Sequence, residues 1–228
     1  MKKLLIILVI TLLSVSSYAQ RDVTTFLGIP VDGTKSEMRQ KLIAKGFTPE
    51  KSGNNEYLEG EFNGTDVQVY IITNNNKVYR IMVCDAISQS ETNIKNRFNK
   101  LVSQFERNKR YTTLADYTIS TTEDISYEML VHKKNYEALF FQEIDTSTVT
   151  SEALAKEAAE QLLEKYTPEQ LENPDEELYQ EILDLSARLY LDVLKKKSVW
   201  FKICEHRGEY YIAMYYDNEY NRADGEDL

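Results

Sequence analysis

The segment Thr34-Lys35-Ser36-Glu37-Met38-Arg39-Gln40-Lys41-Leu42-Ile43-Ala44-Lys45-Gly46 carries both ends of a helix. Thr34 as N-cap and Glu37 three residues on make a capping box, in which each side chain satisfies an orphan backbone N–H of the first turn. Gly46 stands where a left-handed residue closes a helix. The spacing predicts a helix over 35–45 that buries Met38, Leu42 and Ile43. The pattern then changes to alternation and predicts strands over 56–62, 66–73 and 77–85, turned at Asn63-Gly64 and at Asn74-Asn75-Asn76. Val67, Val69 and Ile71 share one face of the second strand, as do Tyr79, Ile81 and Val83 of the third, so one face of this meander is core.

The same order returns downstream. Ser88 and Glu91 offer a second capping box, and Ile94, Phe98, Leu101, Val102 and Phe105 recur at helical spacing up to about Asn108. Strands are expected over 126–133 and 136–144, turned at Lys134-Asn135, and again over 199–205 and 209–217 around Arg207-Gly208. Residues 151–197 differ. Leu154, Ala158 and Leu162 line one helix, Pro168 breaks it, and Asn173-Pro174-Asp175-Glu176 restarts it with a cap, a proline and acids that complement the helix dipole. Leu178, Ile182, Leu185, Leu189 and Val193 run down one side, and Tyr179, Leu183, Tyr190 and Leu194 widen the stripe. The reading is an α+β fold of tandem helix-plus-antiparallel-meander units, the first over about 26–87 and the second over about 88–228, with a helical hairpin inserted at about 147–197. No Gly-, Ser- or Pro-rich linker divides them, so a single domain is expected over 20–228.

The chain opens Met1-Lys2-Lys3, continues apolar from Leu4 to Leu13, and reaches Ser17-Tyr18-Ala19-Gln20. A basic start, a short apolar run and a small-x-small site read as a secretory signal peptide over 1–19, cleaved after Ala19. The apolar run is about half the roughly 20 residues needed to span a bilayer, and no cysteine near the site could take a lipid, so no membrane anchor is expected. The expected location is the periplasm or outside the cell. Loss of Lys2 and Lys3 takes the formal charge from −10 to −12, which argues against nucleic acid and against an anionic membrane surface as partners.

The common catalytic signatures are absent: there is no Gly-x-Ser-x-Gly elbow, phosphate-cradling Gly loop, His-Glu-x-x-His or Cys-x-x-Cys. Cys204-Glu205-His206 sets a thiol and an imidazole on one strand face, where parallel side chains do not meet as a nucleophile and base must. Zinc at Cys84, Cys204, His132 and His206 would need ligands from four separate segments. The acidic ending, Asp217-Asn218-Glu219 and Asp224-Gly225-Glu226-Asp227, lacks the alternation of a calcium loop. No catalytic, metal or cofactor residue is assigned.

Two features remain. Cys84 and Cys204 both point away from the core face of their strands and could form a disulfide if those strands are neighbours; two separate buried thiols are the alternative. If Val199, Phe201 and Ile203 face the core, Trp200 projects from the other side; together with Tyr211 and Tyr215 it could form a flat stacking platform for a sugar or an anchor for a protein, unless the helical hairpin covers it.

The stretches Phe26-Leu27-Gly28-Ile29-Pro30-Val31-Asp32-Gly33-Thr34 and Gly208-Glu209-Tyr210-Tyr211-Ile212-Ala213-Met214-Tyr215-Tyr216-Asp217-Asn218 resemble those of a group of secreted proteins of uncharacterised activity from Bacteroidota. The resemblance implies a compartment and no activity. At the level of fold, the helix and meander over 26–109 look like the unit of small outer-membrane assembly lipoproteins, and the tandem version looks like the β-lactamase-inhibitor-protein fold; the missing lipid cysteine departs from the lipoprotein pattern. The function expected is that of an exported soluble, non-enzymatic binding or envelope-interaction module, its partner an envelope or secreted protein or a glycan. The alternative is an extracytoplasmic hydrolase with an unrecognised acid/base pair.

Overall fold

Four chain reversals are built on two consecutive left-handed residues: Leu27-Gly28, Asn63-Gly64, Asn75-Asn76 and Arg207-Gly208. Paired positive φ angles match the right-handed twist of the flanking strands, which is why such turns close tight hairpins. In the computed structural model, which describes residues 22–144 and 151–223, the last three connect neighbouring strands of one antiparallel sheet and the first closes a separate two-stranded arm.

The chain begins with a two-stranded arm, β1 (Thr25–Phe26) and β2 (Ile29–Pro30), followed by helix α1 (Lys35–Ala44). The capping box at Thr34 and Glu37 is formed in full, and Gly46 takes its left-handed place after the helix. Met38 and Leu42 are fully buried, whereas Ile43, expected in the core, turns outward. Strands β3 (Thr48–Ser52), β4 (Asn55–Phe62), β5 (Thr65–Asn74) and β6 (Lys77–Asp85) follow; β3 extends the expected meander by one edge strand. Then come α2 (Glu91–Arg107), β7 (Tyr111–Thr112), α3 (Ile125–Val131), β8 (Glu137–Gln142), the inserted helices α4 (Ser151–Leu163), α5 (Pro168–Glu172) and α6 (Glu176–Lys195), and finally β9 (Ser198–His206) and β10 (Glu209–Asp217).

The strand order is β3-β4-β5-β6-β10-β9-β8-β7, antiparallel throughout. The C-terminal strand is thus central and joins the two halves, with Met214 opposite Val83 on one side and Phe201 on the other. Helix α1 lies against β5 and β6, and α2 against β7, β9 and β10, all on one face. That face holds the main core, including Phe26, Leu58, Val69, Ile81, Phe98, Phe140, Phe201 and Ile212. A bidentate pair, Arg97 on α2 to Asp85 on β6 at 2.5 and 2.6 Å, ties helix to sheet.

Two expectations are corrected. Residues 126–133, expected as a strand, form α3 instead. Its first-turn N–H groups explain the change: Asp124 accepts from Tyr127, and the Glu91 carboxylate accepts from the Ile125 N–H and the Ser126 hydroxyl. Glu91 is therefore committed to α3 and forms no capping box with Ser88; Ser90 is the N-cap of α2 and makes no side-chain capping bond. The insertion is helical as expected, closing over its own small cluster of Ala158, Leu162 and Leu185.

Candidate functional site

The sheet face opposite α1 and α2 carries the aromatic and thiol residues singled out above. Trp200 and Tyr215, directly opposite on β9 and β10, stack at 4.0 Å between ring centroids and 17° between planes. The Arg80 guanidinium lies 5.0 Å from the Tyr215 ring centre and 5.5 Å from that of Trp200, and it is held by Asp217 through bonds of 2.5 and 2.7 Å. The Trp200 indole N–H also donates to Asp217, at 2.9 Å. Hydrogen bonding to Asp217 raises the Arg80 pKa further, so the guanidinium is a fixed charge.

This geometry decides what the face can do. Side chains on adjacent strands that stack face to face stand upright from the sheet, and here Tyr215 is buried and Trp200 half-buried. The stack thus takes one face of each ring, and Arg80 shares the space next to the pair. Tyr211, four residues before Tyr215 on the same face of β10, is opposite Cys204 and hydrogen-bonded to it. Burial pushes the Tyr211 and Tyr215 hydroxyls up to about 12, so both are neutral phenols at any physiological pH.

Cys84 and Cys204 do share this face, but both are free thiols. Strand β10 lies between their strands, with Cys84 opposite Ala213 and Cys204 opposite Tyr211. Adjacent strands are about 4.8 Å apart, so a strand in between puts the Cα atoms beyond the roughly 7 Å limit for a disulfide. The expected bond fails because β6 neighbours the last strand and not the one after the insertion. Burial, with a smaller contribution from Cys204, drives the Cys84 thiol up to about 12, and burial also raises Cys204. Neither is a thiolate nucleophile at neutral pH. His206 is exposed at the end of β9, and His132 is exposed on α3 and paired with Glu128 at 2.8 Å. Among the described residues no three His, Cys, Asp or Glu side chains converge as metal ligands would. Asp217 belongs to the Arg80 pair, and residues 224–227 lie outside the described residues.

The other face opens into a cleft of about 770 Å³ where the two helix-plus-meander units meet. Met214 and Tyr216 of β10 form its floor, Leu101 and Phe105 of α2 one wall, and Leu27 and Phe62 the other. Its polar back wall is satisfied internally. The Gln142 side chain acts as a piece of strand backbone, accepting from the Thr25 N–H at 2.7 Å and donating to the Thr25 carbonyl at 2.7 Å and to the Tyr111 oxygen at 3.1 Å. Tyr216, fully buried and hydrogen-bonded to Tyr111, has its hydroxyl pushed well above the ordinary tyrosine range by burial. Lys197 is fixed by Asp22 and the Glu143 carbonyl, each at 2.6 Å. Across the rim, Asn63 in the β4–β5 turn donates to Gln104 on α2 at 2.7 Å. Glu61, Arg110 and Glu143 line the mouth.

Leu27 stands at that mouth with φ of 52° and 36% of its surface exposed. A bulky side chain in the left-handed region, at a turn position that favours Asn or Gly, is a strained choice, and such choices cluster at binding sites. Sequence reasoning passed over this cleft because its lining comes from six separate stretches of chain. The one local signal was Leu27-Gly28 in a two-residue turn.

Comparison of the chain with protein-family models, with curated proteins and with solved structures finds no match.

Proposed function

We propose that this chain is an exported, non-enzymatic binding module of the cell envelope or its surroundings, which holds a small, largely apolar ligand in the cleft between its two units. The observation that carries the reading is the cleft itself: a floor of Met214 and Tyr216 between walls that carry Leu101, Phe105 and Phe62, a back wall whose polar groups already have partners, and a strained, exposed leucine at the mouth. A volume of this size suits one small ligand. What remains for that ligand is apolar area, with Arg110 or the mouth carboxylates available to orient a polar end. Export rests on the signal-like residues 1–19. Among the described residues no helix is long and apolar enough to cross a membrane.

The two carboxylates at the mouth, Glu61 and Glu143, are what favours the hydrolase alternative. The lining contains no Ser, Cys or His to act with them. One titration separates the readings. The mature protein is expected to enhance the fluorescence of the apolar probe N-phenyl-1-naphthylamine with 1:1 saturation. Leu27→Asp, which places charge at the mouth, and Gln104→Trp, which fills the cleft, are each expected to weaken binding at least tenfold without loss of the melting transition. Unchanged affinity in both variants sinks the proposal, and turnover of chromogenic esters or glycosides that disappears in Glu61→Gln or Glu143→Gln establishes the hydrolase instead.

A further inference from the structure

Helix α6 has two apolar rows. Leu178, Ile182, Leu185 and Leu189 form one; Leu178 is buried, and Ile182, Leu185 and Leu189 pack with Ala158 and Leu162 of α4. At 100° per residue, Tyr179, Leu183, Ser186 and Tyr190 form a second row beside it, spaced 4, 3 and 4 residues apart over about 16 Å. Its three large members are 48%, 44% and 50% exposed. Among the described residues the hairpin's substantial contacts are α4 against α6 and α6 against β8, and these three large side chains remain about half exposed. A single exposed leucine needs no explanation, but three large apolar groups in register along one helix leave a two-helix layer open on one side.

The surroundings of that row choose its occupant. Residues 151–196 carry twelve Asp and Glu against five Lys and Arg, a net of −7, which is more than half of the whole chain's −10. Glu176 lies one turn before Tyr179 and Asp184 follows Leu183. A second copy would bring two such surfaces together, like charge against like, at a cost that grows within the Debye length of about 8 Å. A strand or loop does not present apolar groups at the 4-3-4 pitch; a helix does, through the ridges that fit such grooves.

We propose that the Tyr179–Tyr190 row of α6 is a docking surface for a basic amphipathic helix of another protein, which completes a three-helix layer on the acidic hairpin. This surface is separate from the cleft and independent of what the cleft binds. The apolar face of the partner helix covers Tyr179, Leu183 and Tyr190, and its Lys or Arg flanks meet the acids around them.

The test uses the mature protein and a fluorescein-labelled 18-residue Lys/Leu amphipathic peptide as probe, with a Glu/Leu peptide of identical apolar face as its counterpart. Anisotropy is expected to show the Lys/Leu peptide binding at least tenfold more tightly than the Glu/Leu one at 50 mM salt, with part of the affinity retained at 500 mM. The variant Tyr179→Ser/Leu183→Ser/Tyr190→Ser leaves every charge in place and is expected to weaken the Lys/Leu peptide at least tenfold; Leu183→Ser alone, the milder change, at least threefold. Helical circular dichroism and the melting transition report that both variants fold. Binding as tight in Leu183→Ser and in the triple variant as in the parent would reduce the attraction to net charge and overturn the proposal. A dimer in solution that the substitutions abolish would overturn it too, by making a second copy the occupant.

Discussion

Leu27 states the residue-scale conflict most clearly. Its turn partner Gly28 has φ of 76°, and the equivalent pairs Asn63-Gly64 and Asn75-Asn76 use residues suited to the left-handed region. A leucine there brings its Cβ close to the backbone carbonyl, a contact that costs about 1–2 kcal/mol and that asparagine relieves by local hydrogen bonding. Leu27→Asn is therefore expected to stabilise the protein by about 0.5–1 kcal/mol, raising the melting temperature by roughly 1–4 °C for a chain of this size. The same substitution removes apolar area from the mouth of the cleft and is expected to weaken binding of the naphthylamine probe. Differential scanning calorimetry and the probe titration check the pair of outcomes. A leucine kept only for turn geometry would give neither: stability would fall or stay level, and probe affinity would not move. Strain retained where it serves binding is the usual form of the stability–function trade-off.

At the scale of elements, α3 shows where pattern and structure part. Alternation over 126–133 puts Tyr127, Met129 and Val131 on one face of a strand, and so puts Val131 in the core. In the helix, Ile125 is fully buried, Met129 packs against the core one turn on, and Val131 is 49% exposed. Ile125→Ala is expected to cost about 2–5 kcal/mol, as for other buried large-to-small changes. Val131→Asp is expected to cost no more than about 0.5 kcal/mol, the range of surface substitutions. Urea denaturation of both decides between helix and strand, since a strand makes Val131→Asp the more damaging of the two. The failure has a local cause. Periodicity over eight residues does not separate helix from strand, and what settles α3 is Glu91, 34 residues earlier in the chain, turned onto its first N–H groups. Where both ends of an element are written within it, as at Thr34, Glu37 and Gly46 or at Asn63-Gly64, the reading and the structure agree to within a residue. The strands 77–85 and 209–217 fall on the residues expected, because alternation and flanking turns point the same way.

At the scale of the molecule, what was hidden is adjacency. Faces of strands were legible, since Cys84, Cys204, Trp200 and Tyr215 all lie on the side that alternation assigns them. Their neighbours were not, because the central place of β10 is a property of the whole sheet, and the cleft lining inherits the same difficulty. The insertion is the exception, and its placement leads to a strong test. It fills the connection between β8 and β9, whose ends already meet: the Gln142 N–H donates to the Lys197 carbonyl at 3.0 Å, and the Lys197 ammonium to the Glu143 carbonyl. Replacing residues 145–195 by a four-residue glycine-rich turn is therefore expected to leave the eight-stranded sheet folded. Two effects of similar size oppose each other. Removing α6 discards the buried Leu194 and the contact of the helix with β8, a loss of roughly 2 kcal/mol of burial. Shortening the loop by nearly four doublings returns roughly 2 kcal/mol of closure entropy. The shortened chain is expected to melt in one cooperative transition, to keep the naphthylamine probe, and to lose the Lys/Leu peptide. That pattern assigns the cleft to the tandem body and the helix-docking row to the insertion. A non-cooperative, probe-binding collapsed state would show that the hairpin is integral to the sheet, and the two surfaces could then no longer be treated as separate.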